Sequence, residues 1–185
     1  MQRRGPTWLL MMLAVLAATL SPWVQSQDKS AEYKVKAAFL YKFAAYVEWP
    51  PAVFTGDGTP LVIGVQGSDA MYRALAGLTG GQSVQGHPLQ VLDLDHEQRP
   101  AVVHILFAGS SQLTAERELR LPWMPASTLV VTEDARLPAA GIAMISFAVV
   151  DDHVNFDVAL PPAQRAGLKL SARLLQVARN VVQQP

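Results

Sequence analysis

One stretch restricts the possible folds of this chain more than any other: Ala37-Ala38-Phe39-Leu40-Tyr41-Lys42-Phe43-Ala44-Ala45-Tyr46-Val47-Glu48-Trp49-Pro50. Ala37, Leu40, Ala44 and Val47 recur at helical spacing on one face, while Phe39, Phe43 and Tyr46 recur at i, i+4 and i+7 on another. A helix with two apolar faces needs two sets of neighbours. Only Lys36, Lys42 and Glu48 interrupt the apolar surface, which leaves water a narrow strip and directs the remainder against a sheet or a partner. Pro50-Pro51 ends the run, because the residue before a proline is displaced from the helical region.

Residues 27–34 read as a polar lead-in to this helix, and residues 50–60, with Thr55-Gly56-Asp57-Gly58, as a loop. Leu61-Val62-Ile63-Gly64-Val65 has the continuous apolar character of a strand buried on both faces and is the expected centre of a sheet. Ser68 or Asp69 caps a helix over residues 70–76, closed by Gly77 and Gly80-Gly81. Gln85-Gly86-His87-Pro88 turns the chain into a strand over residues 89–92, and residues 102–107 form another. The gap between those two is short for a parallel crossover, so their relative direction stays open. Thr114 caps a polar helical turn over residues 115–120, and residues 128–132 form the next strand.

Residues 142–150 and 154–159 flank Asp151-Asp152-His153 as the arms of an antiparallel hairpin. In the second arm Val154, Phe156 and Val158 alternate with Asn155 and Asp157, which gives one wet face and marks an edge position. Pro161-Pro162 opens a last helix with Leu168, Ser171, Leu174, Leu175, Ala178, Val181 and Val182 on its apolar side. Arg165, Lys169, Arg173 and Gln176 lie opposite. Strands alternating with helices define an α/β fold: a single layered domain with a central mixed β-sheet, helices on both faces, and a C-terminal β-hairpin and helix.

Ahead of that domain, Arg3 and Arg4 precede an apolar run from Trp8 to Leu20 and a small-residue site at Val24-Gln25-Ser26, the pattern of a cleaved secretory signal peptide. The expected division is therefore a signal peptide over 1–26 and an α/β domain over 27–185. The apolar run is short for a retained transmembrane helix. Because the chain has no cysteine, it has neither the lipid-bearing residue of a lipoprotein nor disulfides. Its 15 basic and 15 acidic side chains balance, and loss of Arg3 and Arg4 leaves it slightly acidic, with no sign of nucleic-acid binding. A 50% hydrophobic content excludes a disordered adaptor.

Catalysis requires a nucleophile, a base or a metal set, and the raw materials are four histidines with scattered carboxylates. His104, inside an apolar strand, reads as a hydrogen-bonded core histidine; His87 and His153 fall in turns; His96, between Asp95 and Glu97, reads as solvated. No HExxH-type spacing and no G-x-S-x-G elbow is present. Asp151-Asp152-His153 reads as a turn, since neighbouring residues there point in different directions. No catalytic residue, metal ligand or cofactor is expected. Two surfaces remain. Strands that run through Gly67-Ser68 and Gly109-Ser110 toward helix starts expose backbone N–H groups at the crevice where α/β sheets hold small ligands, so Gly67, Ser68, Gly109 and Ser110 are the candidate ligand positions. The same glycines also serve a plain tight turn. Arg165, Lys169 and Arg173 are either a solvated helix face or a docking surface for an acidic partner.

The run Ala-Phe-Leu-Tyr-Lys-Phe-Ala-x-Tyr-Val-Glu-Trp-Pro resembles the opening signature of the YfiR family of bacterial periplasmic regulators. The resemblance continues through Ile63-Gly64-Val65-Gln66-Gly67, His104-Ile105-Leu106-Phe107, Leu129-Val130-Val131-Thr132, Gly141-Ile142-Ala143-Met144-Ile145-Ser146-Phe147 and Leu168-Lys169-Leu170-Ser171-Ala172-Arg173-Leu174-Leu175. Their order carries it. It implies a non-catalytic protein of the periplasm that binds the periplasmic sensory domain of an inner-membrane diguanylate cyclase and holds it inactive, lowering cyclic di-GMP and biofilm formation. A sensor kinase or an outer-membrane receptor is the alternative partner, and a homodimer is implied because relatives form dimers. Characterised relatives carry disulfides that affect activity; this chain lacks cysteine, so redox control does not transfer. A periplasmic small-molecule binding or sensing protein is the alternative reading of the residues.

Overall fold

The structure, a computed structural model, describes residues 21–56, 58–97, 101–109, 125–133 and 142–183, with side chains from residue 29 onward. Helix α1 (Ser21–Tyr46) leads directly into a two-residue strand β1 (Val47–Glu48) and a 3-10 turn (Pro51–Val53). The expected lead-in over residues 27–34 is already helical. Strand β2 (Leu61–Gln66), helix α2 (Asp69–Thr79), strands β3 (Ser83–Val84), β4 (His87–Asp93), β5 (Ile105–Ala108) and β6 (Leu129–Thr132), and the hairpin β7 (Ile145–Val150) and β8 (His153–Ala159) follow. The chain closes with α3 (Leu160–Arg165), β9 (Lys169–Leu170), α4 (Ala172–Val177) and β10 (Asn180–Val182).

Eight strands form one mixed sheet in the order β10-β8-β7-β6-β5-β2-β4-β3, and β1 pairs separately with β9. Strands β4, β2, β5, β6 and β7 run parallel to one another, so the direction left open for β4 and β5 is settled: both run with β2, which lies between them. The sheet's middle is β6 and β5; β2 is interior but not central. Two-residue turns close the antiparallel corners. Gln85-Gly86 and Asp151-Asp152 have φ of 54°, 83°, 50° and 59°, the left-handed pair that matches the twist of a hairpin.

Alternation along the strands divides the interior in two. Leu61, Ile63, Val65, Ile105, Phe107, Leu129 and Val131 face the larger core, together with Ala37, Leu40, Phe43, Ala44 and Val47 of α1 and Met71 and Leu75 of α2. Val62, Leu106, Ala108 and Val130 face the other side, against Leu94, Val103 and Ala143. Every described helix contributes to the larger core, so among the described residues helices cover one face; the helical turn expected over residues 115–120 lies outside them. Each fully buried Leu or Phe on α1 contributes roughly 1.5–3 kcal/mol relative to exposure. The two apolar faces expected for α1 merge into one, since Phe39 packs edge-on against Phe156 with ring centroids 5.4 Å apart and beside Phe43 at 6.1 Å.

The single long C-terminal helix does not form. Gly167, at φ 71°, turns the chain after α3, and Lys169–Leu170 pairs with Val47–Glu48 before Ser171 caps α4. Val181 and Val182, expected on a helix face, instead lie in β10 parallel to β8, so β8 is not the sheet edge. Arg179 fastens this last strand by donating to the Asp157 carboxylate at 2.8 Å.

Candidate functional site

The parallel strands release their chain ends on one side of the sheet, and the candidate ligand residues gather there. A Cβ on Gly109 would stand 2.5 Å from the Gly67 carbonyl oxygen, so the two loops touch backbone to backbone and glycine is required. Gly109 N–H donates to the Gln66 carbonyl at 2.8 Å. Gly67 N–H donates to the Asp95 carboxylate at 2.6 Å, so the chain supplies its own anion at that position. Ser68 Oγ accepts from Met71 N–H at 3.2 Å and serves as the N-cap of α2. Ser110 lies outside the described residues.

Beside these loops is a set of groups that the sequence reading did not single out. Lys36, read there as a break in the apolar surface, is 4% exposed. Its ammonium lies between the carboxylates of Glu32, one helical turn back, and Glu133, just past β6, and stands 5.0 Å from the Tyr33 ring centre. Burial alone lowers the Lys36 pKa, but the hydrogen bonds its ammonium donates to Glu133 and Glu32 outweigh it and hold the pKa above the usual lysine value. Tyr33 OH donates to Glu133 at 3.3 Å, and burial together with the Glu133 charge raises its pKa. Nothing in the sequence marks the pair: Lys36 and Glu133 are 97 residues apart.

At the opposite, amino-terminal ends of the strands, the Phe54 ring lies stacked between two histidines, 3.9 Å from His87 and 4.7 Å from His104. His104 is a hydrogen-bonded core histidine as expected: its Nδ1 accepts from Val62 N–H at 3.0 Å, which places the ring proton on Nε2. Desolvation, aided by His87, lowers its pKa to about 4. His87 and His153 open strands β4 and β8. His87 Nδ1 sits 2.8 Å from the Thr59 carbonyl and pins the 50–60 loop.

Arg165, Lys169 and Arg173 are all exposed but lie on α3, β9 and α4 respectively, not on one helix. Lys169 Nζ stands 4.0 Å from Glu48, which fixes this basic surface near the end of α1. His96 is exposed as read, and Asp93 raises its pKa through a 3.0 Å contact. Asp69, Asp93 and His96 bring donor atoms within 4.8 Å of one another, the one described trio that could hold a metal ion, though on the open surface.

Among the described residues, the carboxyl ends of the strands thus carry the Ser68 cap and the Lys36–Glu32–Glu133 cluster with Tyr33, and the amino ends carry the Phe54 stack with His87 and His104. The arrangement is a small α/β domain. The chain belongs to the YfiR/HmsC-like family, whose model matches residues 33–179. That family has a regulatory role in cyclic di-GMP signalling and is known for regulators rather than catalysts. No curated protein matches the chain. No helix of the described residues is long and apolar enough to cross a membrane.

Proposed function

We propose that this protein is a non-catalytic periplasmic regulator that binds the periplasmic sensory domain of an inner-membrane diguanylate cyclase and holds it inactive. Membership of the YfiR/HmsC-like family over residues 33–179 carries this reading. The exposed charges of Arg165, Lys169 and Arg173 support it, because an acidic patch on the partner meets them without desolvating a buried group. Repression requires differential affinity: a regulator that binds active and inactive cyclase equally shifts nothing. Deleting the gene raises cyclic di-GMP, and restoring it with Arg165→Glu, Lys169→Glu and Arg173→Glu combined fails to lower it again. Full repression by the triple variant, or an unaltered cyclic di-GMP level on deletion in cells that express the protein, sinks the reading.

A further inference from the structure

Where α1 passes the tip of the β7–β8 hairpin, the two elements leave a groove of about 540 Å³. Val35 and Phe39 line it from α1, Val149 and Val154 from the hairpin, and Glu32 and Asp152 add carboxylates. Scattered exposed valines are ordinary on a protein surface. Here Val35 is 45% and Val149 50% exposed, and they share one concavity. Phe39 is fixed in place, its ring packed 6.2 Å from Phe147 and 5.4 Å from Phe156, so the groove is preformed and little ordering opposes an occupant.

Charge selects the occupant. The lining contains no lysine or arginine; its one basic side chain, His153, has Nδ1 2.6 Å from the Asp151 carbonyl. The buried Lys36 ammonium beneath is shared by Glu32 and Glu133, two carboxylates to one cation, and Asp152 adds a further negative charge at the hairpin turn. We infer that this groove docks an apolar segment of a partner protein that carries a lysine or arginine: its apolar side chains lie over Phe39 between Val35 and Val149, and its cation meets Glu32 and Asp152. The surface is separate from the basic one. Tyr46, which ends α1 two residues before Glu48 and its neighbour Lys169, lies roughly 21 Å along the helix from Glu32 at 1.5 Å per residue. The two surfaces therefore suit segments of opposite charge, and the assignment stands apart from the identity of the cyclase.

The test is a titration of the ¹⁵N-labelled full mature chain with a helical Leu/Lys peptide and with its Leu/Glu counterpart, followed by amide shifts. The Leu/Lys peptide moves amides within residues 31–39 and 149–154, and its affinity falls at least tenfold in Val149→Asp and in Asp152→Lys, both exposed changes whose folding is checked by thermal melting. The Leu/Glu peptide leaves those amides in place. Shifts elsewhere or none at all, equal binding of both peptides, or affinity unchanged in the two variants overturns the assignment. Sedimentation showing a wild-type dimer that Val149→Asp dissolves also overturns it, because the occupant is then a second copy.

Discussion

At the carboxyl ends of the parallel strands Lys36 is buried as a cation between Glu32 and Glu133; at the amino ends His104 is buried as a neutral ring against Phe54 and Trp49. Both places remove a titratable group from water. One compensates by opposite charge, the other by discarding charge and accepting a backbone hydrogen bond from Val62. The difference teaches where each end is fragile. The ion cluster depends on specific partners, and the histidine stack depends on pH.

The largest expected effect is at the charged end. Lys36→Met strands two carboxylates, one of them, Glu133, only 10% exposed, and lowers the unfolding free energy by about 3–5 kcal/mol in urea denaturation. A loss below about 1 kcal/mol would show that the cluster is solvated and erase the contrast. Lys36 has a raised pKa in the folded state, so its contribution is present below the unfolded value of 10.5 and is lost only as pH rises past the folded value.

The neutral end responds in the other direction. His104 drops from 6.5 to about 4 on folding, so its contribution is complete above pH 6.5 and declines as pH falls from there toward 4, by up to about 3 kcal/mol. Urea titrations between pH 7 and 5 show this slope in the native chain and a flatter one in His104→Leu, even though that variant starts less stable. An identical slope in both assigns the acid sensitivity elsewhere. The smallest effect sharpens the backbone side of the contrast. Gly109→Ala forces a Cβ against the Gly67 backbone and costs about 1–3 kcal/mol. At Gly64 the tight neighbour is the mobile end of Leu94, 2.6 Å away, so Gly64→Ala falls below it in the same thermal-melting series. Reversal of that order would place the rigid contact at Leu94.

Much of this architecture was legible in the residues. The apolar runs around Ile63, Ile105 and Val131 are strands because only a two-sided burial accounts for such runs, and Asp151-Asp152 is a turn because those residues tolerate positive φ. The C-terminal segment misled because Leu168, Leu174 and Val181 fit helical spacing; a backbone turn at Gly167 and pairing to the distant Val47 decide otherwise. The site was less legible. Gly67, Ser68 and Gly109 do gather at one sheet end, but Lys36 reads as solvent-facing until Glu133 is brought to it, and the Phe54 stack joins rings from three separate segments. Periodicity reports which face is buried, not which charge has found a partner.

Strand β10 has one further consequence. It pairs along β8 through residues 180–182, held by the Arg179 clasp on Asp157, so these three residues shield the peptide groups of that side of β8 from neighbouring molecules. A protease that trimmed the chain back to residue 178 would remove both latch and cover, and leave β8 as an unprotected flank along which foreign backbone can pair.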